Sequence, residues 1–391
     1  MRIAVVTTSL DLGGITSFCI SLVNYLASKS NVEVIFFYTK SNYGRLELIS
    51  NDVTIEQFSK PNQRSFRFIW EIVIHGHLGK LIKLIRREHA KISPMESIQI
   101  IERIKEELSD DLPGEYDIAI STAEFYCNNL VANKVKAKRK IGWIHPDYSK
   151  LNVNKELELE TLSKLDQVVG VSKASSDSLK TIFPSIANKI CCIENILPIE
   201  LIYKRSEEIV DIEIDKTKIN LLTVCRVDNS SKRLDRMVKA CAYLKDHGLE
   251  YHWYLIGNGP DLSEVIELAK QLKVQEYISF LGAKDNPYPY FKLMDVFVLT
   301  SQYEGKPIVV DEALALKCPV VVTNYKSAKA QVGEDYGAVI DNNDDTINAQ
   351  LYLLLSSSGV ISKWKANLSD YAVDNQSIYK KIDNLILQQN D

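Results

Sequence analysis

Two pairs of charged residues in the C-terminal half have the types and spacing for ligand chemistry. Arg226 follows the apolar run INLLTV in CRVDNSSKRLD, and Lys232 comes six residues later, at the entrance of a helical pattern. A guanidinium that grips two oxygens and an ammonium acting as a point charge suit a diphosphate when both gather at the carboxyl end of a strand. Asp228 and Asp235 are close enough in sequence to be their partners instead. Downstream, YEGKPIVVDEALALKCPVVVTN sets Glu304 and Glu312 in apolar surroundings, where an unpartnered carboxylate is costly. Pro307 suits a first helical turn, which puts Glu312 about one and a half turns inside the helix and Glu304 in the loop before it. Carboxylates accept hydrogen bonds from paired hydroxyls, so the two acids match a sugar at Glu304 and a ribose at Glu312. The alternative is structural, with Glu304 capping the helix and Glu312 paired to a neighbouring base.

Three weaker signals accompany them. LGGITS, Leu12 to Ser17, separates an apolar run from a helical pattern. Without a Cβ, Gly13 and Gly14 let backbone N–H groups approach an anion at a helix N-terminus, although a tight turn explains them equally. The motif is neither G-x-G-x-x-G nor a P-loop. IGNGP, containing Gly257, reads as a turn after a strand, and His145 in GWIHPDY, followed by Asp147, stands at a strand end where a structural histidine is equally at home.

These residues are carried by two α/β halves. A chain of 391 residues, 46% hydrophobic and 25% charged, supports two packed cores. IAVVTTSL, VEVIFFYT, YDIAIST, KIGWIH and QVVGVS read as strands in the first half, β-branched and unbroken as in parallel sheets covered on both faces. The grammar restarts after IENILPIELIYKRSEEIVDIEIDKTK, where periodicity fades. INLLTVCRV, YHWYLI, YISFLG, VFVLTS and PVVVTN then alternate with helical patterns. The expected layout is an N-terminal domain over residues 1–200, a C-terminal domain over 201–370, and a helix over 371–391, SIYKKIDNLILQQ within it, crossing the junction. Ligands of doubly wound sheets collect at the strands' carboxyl ends.

The formal charge of −4 argues against nucleic acid as a partner. The opening run is too short for a signal peptide and no window reaches the ~18 apolar residues of a membrane span, pointing to the cytoplasm. Seven cysteines without a CxxC pair read as reduced core thiols. One segment breaks the acidic trend. RSFRFIWEIVIHGHLGKLIKLIRREHAK, residues 64–91, interleaves basic and aromatic residues, and NKVKAKRK, residues 133–140, adds five more basic ones. Together they fit a peripheral contact with an inner membrane surface, the alternative for residues 64–91 being an ordinary helix pair with basic outer faces.

The Gly-Gly loop, Arg226 and Lys232, IGNGP, FLG, and the pair Glu304 and Glu312 in EGKPIVVDEAL together resemble the retaining family 4 glycosyltransferases of the GT-B fold. The resemblance covers nearly the whole chain and is strongest from Ile219 to Asn324. It implies two Rossmann-like domains facing a central cleft and a nucleoside diphosphate sugar as donor, UDP-linked in preference. Arg226 and Lys232 would hold the diphosphate, Glu312 the ribose, and Glu304 the donor sugar. Gly14 would offer its N–H to the phosphate, Ala283 and Lys284 would meet the base, and His145 would stand near the sugar. Gly257 and the run Gly305, Lys306, Pro307 and Ile308 would complete the donor site. EGKP stands where such enzymes commonly have EGFG, so Lys306 replaces an aromatic and Pro307 removes an N–H, and Arg226 and Lys232 are one residue further apart than usual. The implied reaction moves a sugar to a glycan or lipid-linked saccharide in surface polysaccharide biosynthesis, with neither cofactor nor metal. The chain has no Asp-x-Asp. A sugar-nucleotide epimerase of the same fold, or a catalytically idle nucleotide- or glycan-binding partner, would use the same residues.

Overall fold

The computed structural model describes residues 1–11, 13–41, 44–59, 93–210 and 212–387. Leu12 and the basic, aromatic segment 64–91 lie outside the described residues. The chain divides into two compact units, Met1–Ile196 with Ser377–Asp391, and Leu197–Gln376.

In the first unit the strands are β1 (Arg2–Val6), β2 (Ser9–Leu10), β3 (Glu33–Tyr38), β4 (Lys40–Ser41), β5 (Val53–Gln57), β6 (Glu115–Ser121), β7 (Lys136–Ile144), β8 (Gln167–Gly170) and β9 (Ile190–Cys192). Among the described residues they form a parallel sheet in the order β5-β3-β1-β6-β7-β8-β9, with β2 and β4 as a separate pair. Successive side chains of β1 go to opposite cores: Ile3 and Val5 to one, Ala4 and Val6 to the other. That two-sided burial is why the run is continuously apolar. IAVVTTSL is not one strand, however. After Val6 the chain keeps one bond to β3, Thr7 N–H to Phe37 O at 2.9 Å, and then pairs Ser9 and Leu10 with Lys40 and Ser41. The glycine loop therefore leaves a short accessory ladder rather than β1 itself.

The helix Gly14–Ala27 buries Phe18, Cys19, Leu22, Val23 and Leu26, spaced three and four apart. Against the same core lies the C-terminal helix Asn375–Leu387, burying Ile378, Ile382, Leu385 and Ile386. Tyr379 stacks on Tyr25 with ring centroids 4.0 Å apart, and Asp383 takes the Tyr25 hydroxyl at 2.8 Å and the Lys29 ammonium at 2.7 Å. The basic run of residues 133–140 is largely spent within this unit. Arg139 is buried and donates to Leu385 O at 3.0 Å, Lys138 reaches Asp117 at 2.7 Å, and Lys140 reaches Ala132 O at 2.8 Å.

The second unit holds β10 (Ile219–Val224), β11 (Tyr251–Ile256), β12 (Ile278–Gly282), β13 (Val296–Leu299), β14 (Val320–Thr323) and β15 (Gly337–Ile340). They are all parallel, in the order β12-β11-β10-β13-β14-β15. Leu222, Phe297 and Val322 enter one core and Leu221, Val298 and Val321 the other. The stretch expected as a linker is partly helical: Ile199–Ser206 forms a helix that buries Ile202 and Ser206. Beyond Val224 the backbone stays paired, Cys225 N–H to Ile256 O at 3.1 Å and Val227 N–H to Asn258 O at 3.0 Å. This approach explains IGNGP. A Cβ at Gly257 would stand 1.9 Å from Cys225 O, and one at Gly259 2.1 Å from Val227 O, so only glycine fits.

Candidate active site

The loops at the carboxyl ends of β10 and β13 bring together residues 72 positions apart: the Lys232 ammonium donates to Glu304 Oε1. Ser301 Oγ donates to the same oxygen at 2.6 Å. The pair is largely shielded, with 21% of the Lys232 side chain and 12% of the Glu304 side chain exposed. Burial alone would push the Lys232 ammonium down. The Glu304 carboxylate, with Cys225 and Asp228, outweighs burial and holds it above its ordinary value. The position of Lys232 comes from its loop: its N–H donates to Asp228 O at 2.8 Å, and Thr300 Oγ1 donates to Lys232 O at 3.1 Å.

Arg226 stands differently. It is exposed two residues past β10, with no ion pair or hydrogen bond among the described residues. The aspartates that might have neutralised this loop are occupied: Asp235 is forked by Arg233 and bonded by Lys239, and Asp228 Oδ1 accepts from Ser230. Arg226 and the largely shielded Lys232 share the loop between β10 and the helix Leu234–Asp246, and two such cations can take an anion with several oxygens.

Pro307 is the N-cap of the helix Ile308–Ala315, and no side chain caps that helix, so Glu304 is not its cap. Glu312 is 6% exposed and accepts from Tyr288 Oη at 3.2 Å. Lys306 lies 3.5 Å from Asp311, and Gln331 Nε2 ties the same turn together, to Pro307 O at 2.9 Å and to Asp311 Oδ1 at 3.0 Å. Lys306 thus braces its own helix start. Gly305 and Ile308 are buried beside it. Gly257 N–H is already given to Gly282 O at 2.9 Å. Ala283 and Lys284 follow β12, exposed and half-buried respectively.

Gly14 and His145 belong to the first unit. Gly14 opens the helix Gly14–Ala27, whose N-terminus has no side-chain cap, leaving the first-turn N–H groups for an outside acceptor. His145 Nε2 lies 2.9 Å from Thr122 O. A carbonyl only accepts, so Nε2 carries the proton and Nδ1 is left as an acceptor. Burial pushes the imidazole below its ordinary value, against the opposing pull of Glu124 and the Thr122 carbonyl, and so favours the neutral form. Asp147 is structural: Oδ1 accepts from Ser149 N–H and Ser178 Oγ, both at 3.0 Å. Sequence reasoning missed Ser301, Tyr288 and Gln302. Ser301 was legible, three residues before Glu304, but nothing in the sequence ties Tyr288 to Glu312.

The fold is that of the GT-B glycosyltransferases. Solved structures of that class match over the full length: TarM of Staphylococcus aureus with a TM-score of 0.69 at 14% identity, covering 99% of both chains, and Anabaena HepE in complex with UDP and glucose with 0.69 at 14%, covering 100% of both. Residues 204–372 match the model of the family glycosyl transferases group 1. Among curated relatives, the N-acetylgalactosamine-N,N'-diacetylbacillosaminyl-diphospho-undecaprenol 4-alpha-N-acetylgalactosaminyltransferase of Campylobacter jejuni is 30% identical over 217 residues, covering 54% of this chain and 57% of the relative. The poly(ribitol-phosphate) alpha-N-acetylglucosaminyltransferase of Staphylococcus aureus is 21% identical over 377 residues, covering 88% and 71%. The match with the Campylobacter relative thus spans little more than half of its length. Among the described residues no helix is long and apolar enough to cross a membrane.

Proposed function

We propose that the protein is a retaining glycosyltransferase that moves a sugar from a nucleoside diphosphate sugar, UDP-linked in preference, to a glycan or lipid-linked saccharide during surface polysaccharide synthesis. The observation that carries this reading is the Lys232–Glu304 pair, with Arg226, unpartnered among the described residues, on the same loop as Lys232. It provides cations for a diphosphate next to a carboxylate for sugar hydroxyls. The relatives support the acceptor class, since one acts on a diphospho-undecaprenol-linked saccharide and the other on poly(ribitol-phosphate). HepE, whose structure holds UDP and glucose, supports the donor class.

Departure of the nucleotide leaves negative charge on the diphosphate and positive charge at the anomeric carbon. Lys232 and Arg226 stabilise the first more strongly as it develops, which lowers the barrier without tightening ground-state binding equally. Because these two cations meet the leaving group, the reaction needs no metal. Glu304, held by Ser301, binds the sugar hydroxyls, and Glu312, held by Tyr288, reads the ribose. Gly14 N–H is assigned to a phosphate oxygen, and His145, with Nδ1 open as an acceptor, to a sugar hydroxyl. Attack then comes on the face from which the leaving group departs. Calorimetry with a panel of UDP- and GDP-sugars tests the reading: micromolar binding and slow donor hydrolysis support it, and binding of no nucleotide refutes it.

A further inference from the structure

One buried arginine stitches three loops at the carboxyl edge of the second sheet. Arg236, in the first turn of the helix Leu234–Asp246, has a side chain only 3% exposed. Its Nη2 donates to Gln302 Oε1 at 2.7 Å, and its Nη1 to Asn342 Oδ1 at 2.6 Å and to Thr300 O at 3.3 Å. Its Nε donates to Asp344. Arg233 adds bonds to Gln302 Oε1 at 3.2 Å and Asp344 Oδ2 at 2.7 Å from a left-handed backbone, φ 53°, which a non-glycine residue adopts only when its surroundings hold it there. Gln302 is fixed through its backbone too: its N–H donates to Ser231 O at 2.7 Å, and its carbonyl accepts from Asn342 Nδ2 at 2.7 Å. Glu304 lies two residues further on.

We propose that Arg236, acting through Gln302 and balanced by Asp344, is a positioning residue that sets where the Glu304 carboxylate stands. The inference rests on the reading that Glu304 meets the donor sugar. A guanidinium buried this deeply costs desolvation that an apolar side chain would avoid. What it supplies is direction: a planar fork fixes two acceptors at once, and no aliphatic side chain reproduces that. Lysine at 236 keeps the charge opposite Asp344 but cannot hold Gln302 and Asn342 together.

The test takes whichever UDP- or GDP-hexose of a glucose, galactose, N-acetylglucosamine and N-acetylgalactosamine panel binds best and compares it with its own free nucleoside diphosphate. Calorimetry follows wild type, Arg236→Lys, Glu304→Gln and the double variant, with melting curves to confirm folding. Arg236→Lys is expected to weaken the nucleotide sugar about 10-fold relative to the free nucleotide, since displacement by about an ångström is enough to lose oriented contacts. In the Glu304→Gln background the same change is expected to add no further sugar-specific loss, the signature of two residues acting as one unit. Asp344→Asn, at a half-exposed position, is expected to give a smaller loss of the same kind. Equal weakening of nucleotide and nucleotide sugar by Arg236→Lys, no weakening at all, or an undiminished sugar-specific loss in the double variant overturns the inference alone. Failure of wild type to bind any member of the panel overturns the donor reading as well.

Discussion

Replacing Glu304 with glutamine separates two roles of one carboxylate, and the two predicted effects have opposite signs. In the ligand-free protein Glu304 neutralises Lys232, and the pair sits between the surface and the interior, at 12% and 21% exposure. Exposed pairs are worth ~0–1 kcal/mol and breaking buried ones costs ~3–5, so about 1–2 kcal/mol is a fair value here. Glu304→Gln releases that attraction, leaving the ammonium available to a diphosphate. UDP should therefore bind about 5- to 30-fold more tightly, at ~1.4 kcal/mol per factor of ten. The same variant loses the charged contact to the sugar, so turnover should fall by a factor on the order of 100. The pH dependence follows from Lys232. Its pKa is raised in the folded protein by Glu304, so its contribution to stability and binding is present through neutral pH and is lost only as pH rises through that raised value. Without the carboxylate, burial dominates and the alkaline loss of UDP binding should move to lower pH. Calorimetry with UDP from pH 7 to 10, alongside donor hydrolysis, measures both effects. Weaker UDP binding by Glu304→Gln would refute the idea that the carboxylate competes with the diphosphate for Lys232.

Arg226→Ala should leave the melting temperature unchanged, because the side chain has no partner among the described residues to lose, while weakening UDP about 10- to 100-fold in a salt-dependent way; unchanged affinity in calorimetry would remove Arg226 from the site. Glu312→Gln should erase any preference for UDP over 2′-deoxy-UDP, and Tyr288→Phe should reduce it by a few-fold, both read from dissociation constants. Ile382→Ala empties a fully buried position of the C-terminal helix and should cost about 2–5 kcal/mol in urea unfolding. Glu158 is held by Tyr148 and Gln99 and is pushed up to about 7 by burial, so its folded state favours the neutral acid. That preference stabilises below the unfolded carboxyl value and is lost as pH rises through about 7. Urea midpoints of Glu158→Gln between pH 5 and 8 should therefore fall less steeply than those of wild type.

The central strands were legible because burial on both faces demands long β-branched runs, as in IAVV, LLTV and VVV. β5, β9 and β15 escaped because VTIEQ, ICC and GAVI are short strands that carry little pattern. The helix Ile199–Ser206 was hidden by the charges around it, while the helix Pro94–Glu107 carried a readable start, Ser93 accepting from Glu96 N–H at 2.9 Å with proline first. For the site, spacing pointed to Lys232 and Glu304 separately. Their contact depends on β10 and β13 being neighbours, a property of strand order that no local motif records. The glycines of IGNGP read in the sequence as a turn, whereas in the structure they admit the backbone on either side of Arg226.

The C-terminal helix gives the chain an unusual order of assembly. Residues 377–391 belong with Met1–Ile196, yet the whole of Leu197–Gln376 is synthesised between them. The core around Tyr25, Phe18 and Leu22 lacks part of its packing until residues 378–386 emerge, because Ile378, Ile382, Leu385 and Ile386 arrive only then. At translation rates of about 5–20 residues per second, the 180 residues of the second unit impose a wait of roughly 10–40 seconds, ample time for that unit to fold first. A nascent chain that has not yet reached Ser377 is therefore a second unit tethered to an unfinished first one, and a stop codon near residue 376 would strand the protein in that state.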